Sequence, residues 1–425
     1  MDPAVIFAVI GYRIPGFLEL TLPLAFFLAI LLTFGRLYVE NEMSVLKACG
    51  ISEGQLLGYT LIMGALLAVL VGWLSLYGSP AGAAKAETIL KAQKEMTKEL
   101  EKNNKSFVVF ENNSQNSSIV AGGVYNPAIL KRFTPVWEAA NQLELALRFY
   151  AELESQFKKK YDFPVDIYRV FKSIEEQNNW FIACDNVLLS KYMIPKVVNE
   201  KHLGLTANFG YGKLVNTGRV DTKSLLEDYS KYLNDNKQLL NESFEYDKLD
   251  VIERKVTYKD IFASKIVFCE GFGLKKNPYF NYLPMQEAKG ELLIIHAPNL
   301  KVDFLIKAAV FVLPLGNDYY KVGATFNWKD KTSLPTEEGK IELVEKLDSF
   351  ISCPYKIVEQ IAGIRPTVKD RRPLIGKHPK YSNLAILNGL GTRGVMIAPI
   401  AAKQLYRYLE EGEALNTEYS IDRFL

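Results

Sequence analysis

The chain has 425 residues, with 51 lysines and arginines against 48 aspartates and glutamates and a net charge of +3. The basic residues are spread among acids rather than clustered, which argues against nucleic acid as the main partner. Cys49, Cys184, Cys269 and Cys353 are far apart and form no C-x-x-C pair, so neither a metal site nor a disulfide framework is expected.

A mean hydropathy near zero conceals two unlike halves. Gly16 to Phe34 (GFLELTLPLAFFLAILLTF) and Leu56 to Tyr77 (LLGYTLIMGALLAVLVGWLSLY) are each long enough to cross a hydrocarbon core of roughly 30 Å as a helix. Nothing after residue 100 is like them. No basic stretch opens the chain and a second span follows the first, which fits a membrane hairpin rather than a signal peptide. Between the spans, Arg36 to Ser52 (RLYVENEMSVLKACGIS) is polar and short, with Met43, Leu46 and Ala48 at loosely helical spacing. It reads as a solvated turn or as an interfacial helix that binds a partner. Glu19 and Pro23 lie inside the first span, and an ionisable group at that depth faces protein or a cavity rather than lipid.

From about Glu101 the pattern is mixed α/β, with apolar β-branched runs alternating with amphipathic helices. Pro135 to Phe157 is a helix whose Trp137, Phe149 and Tyr150 read as core. Strands are expected at Phe107 to Phe110, Lys265 to Cys269, Glu291 to His296, Ala308 to Leu313, Tyr320 to Phe326 and Leu384 to Leu387. Asn103-Asn104, Asn277-Pro278 and Leu315 to Asp318 read as turns. His202, His296 and His378 lack H-E-x-x-H spacing and no G-x-S-x-G elbow occurs, so they read as surface or packing residues.

Ser106 to Glu111 (SFVVFE) is an apolar strand closing on a carboxylate, the arrangement by which dinucleotide-binding domains hold an adenosine ribose. Many strands end in Glu, so the signal by itself is weak. Its companion would be a strand and a G-x-G-x-x-G turn roughly 20 residues or more upstream. Leu76 to Leu100 occupies that window, with Gly78 and Gly82 but no such motif. A G-x-G-x-x-G does occur at Gly389 to Gly394, between the strand LAIL and the helix VMIAPIAAKQLYRYL. A phosphate loop needs a second strand with an acidic end after its helix, and none follows here. The segment therefore reads as a glycine turn that sets backbone N–H groups and a helix N-terminus against an electron-rich ring. A tight strand-to-helix turn without a ligand is the alternative.

With its flanks, Ala362 to Pro399 (AGIRPTVKDRRPLIGKHPKYSNLAILNGLGTRGVMIAP) resembles the final module of the D-amino-acid oxidase and glycine oxidase family. The resemblance covers most of Glu101 to Asp422: SFVVFE matches the ribose-binding strand, NSSIVAGGVYNP a flavin-contact segment, and ASKIVFCEGFG a later strand that returns to the cofactor. GRVDTKSLLEDY, KGELLII and VFVLPLGNDYYKVGATF match the body. The resemblance implies FAD as cofactor, with Glu111 on the adenosine ribose and Ala121, Gly122, Gly123 and Gly271 near the flavin. It implies Gly391, Thr392, Arg393, Gly394 and Val395 along the isoalloxazine edge, and Arg365 as anchor for a substrate carboxylate. A guanidinium fork can hold a carboxylate bidentately, although a structural salt bridge is the alternative for the residue alone. The implied reaction removes hydride from a carbon bearing an amine, with oxygen reoxidising the flavin. The substrate would be a small amine or amino acid, or a nucleoside-linked amine as in tRNA-modifying members. Departures from the family pattern are Asp370-Arg371-Arg372-Pro373 where Asp-Gly is usual, Glu270 in place of a small residue before Gly271, and the missing opening strand and loop. Cys353 before a Pro-Tyr pair reads as a packed thiol or as a point of covalent flavin attachment.

The stretch from about Pro15 to Glu87, with LPLAFFLAILLTFGRLYVENEMSVLKACGIS at its centre, resembles permease subunits of the lipopolysaccharide-export ABC transporter. That resemblance implies a bacterial inner-membrane location and a cytoplasmic coupling helix at residues 40–49, including Glu42, that docks on an ATPase subunit. It also places the body on the periplasmic side after two spans, whereas reduced thiols and the run of Lys85, Lys91, Lys94 and Lys98 favour the cytoplasm. The expected fold is thus α/β: an incomplete FAD/NAD(P)-binding Rossmann-like domain with an antiparallel-sheet substrate domain, preceded by an α-helical transmembrane hairpin. Residues 1–99 make the hairpin and 100–425 the body. The FAD portion takes about 100–124, 195–275 and 361–425, and the substrate portion about 125–194 and 276–360. Three functions fit: a membrane-tethered amine oxidoreductase impaired by loss of the pyrophosphate loop, a permease component with an inert body, or a fusion of two truncated reading frames without activity.

Overall fold

The computed structural model describes residues 90–112, 117–202, 204–252 and 255–425, together with helical positions at Ala29, Leu32, Thr33, Arg36, Met43, Gln55, Gly58 and Gly64. The chain divides into two compact units, Met1–Ala86 and Glu87–Leu425. Among the described residues no helix is long and apolar enough to cross a membrane. Apart from the positions just named, the two expected spans lie outside the described residues, as do Glu19, Pro23, Glu42 and Cys49.

In the second unit α1 (Leu90–Lys102) turns at Asn103-Asn104 toward β1 (Val109–Phe110). Then follow α2 (Ala139–Phe157), β2 (Ile167–Val170), β3 (Met193–Val198), β4 (Tyr211–Leu214), α3 (Thr222–Asp235), β5 (Leu239–Leu240) and β6 (Ile266–Phe268). Next come β7 (Met285–His296), β8 (Leu305–Lys307), β9 (Phe311–Gly316), β10 (Tyr319–Gly323), α4 (Glu337–Asp348) and β11 (Lys356–Val368). Last are β12 (Leu374–Lys377), β13 (Leu384–Asn388) and α5 (Gly394–Glu410).

The helices follow from apolar spacing. In α2, Leu143, Ala146, Tyr150 and Leu153 recur at helical intervals and are buried. Helix α3 is capped by Asp221, whose carboxylate accepts from the Ser224 N–H at 3.1 Å. Helix α5 is buried from Gly394 to Ala402 and contains Pro399. A proline has no N–H to give to the carbonyl four residues back, which here is Val395. That carbonyl accepts instead from the Tyr150 hydroxyl at 2.9 Å, so α2 is tied to the first turn of α5.

One sheet has eight strands in the order β11-β7-β10-β9-β8-β2-β4-β3, with β8 and β2 parallel and the other pairs antiparallel. Hydrogen bonding between β2, β4 and β3 carries residues up to 214 into this sheet, beyond the boundary at 194 expected from sequence. Alternation along a strand marks which face is buried but not which strand lies beside it. The expected strand Ala308 to Leu313 begins instead at Phe311, because Ala308 N–H closes on Val310 O and turns β8 back into β9. The Gly316 to Asp318 turn, with φ of 98°, 51° and 62°, joins β9 to β10 as a tight hairpin.

The other two parallel pairs lie in two separate sheets. β1 pairs with β5, and β6 pairs with β13, which is antiparallel to β12. All five residues of β13 are buried, which accounts for its unbroken apolar run. Between the two sheets lies a cavity of about 590 Å³, lined by Val109 and Phe110 on one side and Ile266 and Phe268 on the other, with Met96 and Thr97 of α1.

Candidate active site

A second cavity, of about 480 Å³, gathers most of the residues singled out in the sequence. Ala121, Gly122, Gly123, Gly271, Arg365, Gly391, Thr392, Arg393, Gly394 and Val395 all line it. Glu111 does not line it; it ends β1, is 1% exposed, and its N–H donates to Leu240 O at 3.0 Å. Glu42 lies outside the described residues. Cys353 is not in the lining either and packs beside Gly204, as a structural thiol does.

The glycine turn is built at the end of β13. Asn388 bridges two strand ends, donating through Nδ2 to Gly271 O at 2.9 Å and accepting from Gly389 N at 2.8 Å. Gly391 has a φ of 56° with open space where a Cβ would stand, so its backbone faces the cavity directly. Helix α5 then starts without a side-chain cap, leaving its first N–H groups for whatever occupies the cavity.

Arg365 enters from β11, where it stands opposite Ala288 of β7. Its Nη1 donates to Thr325 O at 3.2 Å and Lys289 O at 3.4 Å, and its guanidinium stacks 4.5 Å from the Phe326 ring. A Cβ at Gly290 would occupy the same place as the guanidinium, so glycine makes room for it. Arg365 has no carboxylate partner among the described residues, and burial lowers its pKa to about 10. The structural salt bridge considered from sequence is therefore not formed there.

A buried network holds the β7 backbone that Arg365 grips. Lys289 is fully buried and donates to Asp330 Oδ2 at 2.5 Å and to the Leu334 carbonyl. It also pairs with Glu291, whose carboxylate accepts from Thr336 N at 2.8 Å, Thr336 Oγ1 at 2.7 Å and Gln360 Nε2 at 2.8 Å. The contact with Lys289 is the main cause holding the Asp330 carboxyl down to about 2.

The cavity wall carries Lys131, Lys307, Arg365 and Arg393 and, among the described residues, no carboxylate. Arg393 is held below the usual arginine range by burial and by Arg371 and Arg372. Sequence reading missed Lys131, Lys307, Phe326, Gly290 and Asn388. Only Gly290, in KGELLII, had a visible signal, as a glycine interrupting a strand. On the side of the split sheet, Glu270 is half-buried beside the cavity-lining Gly271, desolvation raises its pKa, and it accepts from the Asn277 side chain at 2.8 Å. Among the described residues no cluster of metal-ligating side chains occurs.

These residues fit the ring end of a flavin: an exposed glycine backbone, an uncapped helix start and a cationic wall would all favour electron-rich carbonyl edges. The fit is not matched at the pyrophosphate, for which the sequence ahead of β1 holds no glycine loop.

A strand-to-helix glycine turn and an arginine of the antiparallel sheet thus line one cavity. Residues 99–407 match the family model described as FAD dependent oxidoreductase, and the chain belongs to that family. Residues 1–128 match a second family model, lipopolysaccharide export system permease LptF/LptG. Glycine oxidase of Bacillus subtilis (strain 168) is 26% identical over 182 residues, 40% of this chain and 49% of the relative. The lipopolysaccharide export permease LptF of Escherichia coli (strain K12) is 29% identical over 85 residues, 20% of this chain and 23% of the relative. The chain thus spans about a quarter of the permease and about half of the oxidase. In fold, it is similar to iminodiacetate oxidase from Chelativorans sp. BNC1, with a TM-score of 0.65 and 17% identity over 79% of this chain and 97% of the other.

Proposed function

We propose that residues 100–425 are an FAD-dependent amine or amino-acid oxidoreductase, impaired by the lack of a pyrophosphate loop. The single observation that carries this reading is that one cavity sets an uncapped helix start and glycine turn beside an arginine that has no carboxylate partner among the described residues. Bound FAD would supply the acceptor for hydride leaving an amine-bearing carbon. Gly391 to Val395 would hold its ring edge, with Ala121, Gly122, Gly123 and Gly271 around it, and Glu111 would take the adenosine ribose. Arg365 would bind the substrate carboxylate and orient the α-carbon, while the apolar wall of Leu292, Leu305 and Phe311 would exclude water. The cofactor-facing portion comprises about 100–124, 215–275 and 361–425, and the remainder faces substrate.

The permease likeness of residues 1–128 supports an inner-membrane anchor in a bacterium, with residues 40–49 and Glu42 as the contact for an ABC-transporter ATPase. A membrane component with an inert body is the second reading, favoured by the cavity between β1 and β6 where a cofactor-holding strand would be needed.

The test is the visible absorption spectrum of the full chain purified in mild detergent, beside a version with a glycine-loop βα unit restored before Lys105. Flavin bands in both support the oxidoreductase reading. Flavin in the restored version alone makes the natural chain an inert body, and flavin in neither overturns the assignment of the cavity.

A further inference from the structure

Lys307 is the one cavity-lining charge whose place the reading above leaves unused within the antiparallel sheet. It ends β8, its Nζ stands 5.9 Å from the centre of the Phe311 ring, and both residues line the 480 Å³ cavity. Among the described residues its ammonium has no hydrogen-bond or ion-pair partner. Two other lysines of the sheet, one buried and one half-buried, differ from it. Lys289 is held by Asp330 and Glu291, and Lys321 donates to Val120 O at 3.4 Å and Ala121 O at 3.2 Å.

The charges around Lys307 do not offset it. Across β2 its backbone neighbour is Arg169, which is itself paired with Glu176, and Lys346, also close, is paired with Glu342. Burial first, and then Arg169 and Lys346, lower the Lys307 pKa to about 8. At neutral pH a half-buried, unpaired cation in a wall without acids is costly unless an anion reaches it.

Resting on the amine-oxidoreductase reading, we propose that Lys307 is a second anion subsite, which selects substrates carrying a remote carboxylate or phosphate besides the carboxylate bound by Arg365. Arg365 and Lys307 sit on β11 and β8, with β7, β10 and β9 between them. At about 4.8 Å per strand the backbones are roughly 19 Å apart along the sheet, so the two side chains converge on an extended ligand rather than a compact one. A small amino acid such as glycine would engage Arg365 alone. A longer amine with an acidic tail would engage both.

The test uses the full chain in mild detergent and non-oxidisable probes, so it does not depend on turnover. Binding of heptanoate, pimelate (its dicarboxylate counterpart) and 6-phosphonohexanoate is measured by calorimetry, with circular dichroism as a check of folding. Pimelate or the phosphonate should bind at least about tenfold more tightly than heptanoate; which one does so identifies the tail. Lys307→Met should remove that advantage and leave heptanoate binding unchanged, and Lys307→Arg should retain it. Equal affinities for all three probes, or an advantage that survives Lys307→Met, overturn the second subsite while leaving Arg365 in place. If heptanoate itself fails to bind, or binds regardless of Arg365→Met, the carboxylate anchor of the underlying reading falls as well.

Discussion

The two sheets that contain β1 and β13 are built to different standards. At the end of β13 every part needed to face an electron-rich ring is present: a buried strand, a glycine turn tied down by Asn388, and a helix start whose first carbonyl is secured by Tyr150. Among the described residues β1 pairs only with β5, and a 590 Å³ cavity separates it from β6. The helix beside it, α1, carries a Lys94–Glu95 ion pair, 3.3 Å apart and wholly buried. Binding geometry can thus be preserved at one strand end while the neighbouring strand edge is unfilled, because each end is held by its own hydrogen bonds and core.

The comparison is sharpened most by Arg365→Met. If the finished end still binds carboxylates, this change should lower kcat/KM for a small amino acid, or carboxylate affinity in the absence of turnover, by about 100-fold or more. Gly290→Ala should reproduce the loss, since its Cβ takes the space of the guanidinium. An alanine variant with unchanged affinity would remove Arg365 from the site.

At the unfinished end, Lys94→Met should cost about 3 kcal/mol in urea unfolding, because it removes one member of a buried ion pair. The double change Lys94→Met with Glu95→Leu should regain most of that. If the single change is neutral, α1 is not packed as described. Burial lowers the Lys94 pKa, as it does that of Lys307.

The smallest expected effect is a pH dependence. Burial pushes the Lys307 ammonium down to about 8 from the ordinary lysine value of 10.5, so between these values the unfolded chain binds more protons. Stability from this group therefore rises with pH through that window and is lost as pH falls toward 8, with a slope of up to about 1.4 kcal/mol per pH unit. Lys307→Met should flatten the rise measured by urea unfolding between pH 8 and 10. A bound acidic probe should flatten it too, by holding the ammonium charged.

Much of the architecture was legible because it is local. The helix at Ala139–Phe157 shows in its apolar spacing, and the strand at Leu384–Asn388 in its unbroken run. The Gly389 to Gly394 turn was legible in its spacing and, with its flanks, in a family resemblance. Arg365 was placed by that resemblance, and its freedom from a protein carboxylate could only be seen once β7 and Phe326 stood around it. Lys307 carried no signal at all, since a lysine closing a three-residue strand is ordinary until its neighbours prove to be cations already paired elsewhere.

By itself, the sequence determined the succession of elements, the glycine turn, and the want of a phosphate loop before SFVVFE, since these depend on spacing and backbone preference along a few residues. Tertiary structure alone decided that β2, β4 and β3 extend the antiparallel sheet, that β1 and β6 stand apart, and that four cations share one wall without an acid. Strand partners and charge environments are set by residues distant along the chain, such as Val109 and Leu239 or Ile167 and Leu214, and only folding brings their hydrogen bonds and desolvation into play.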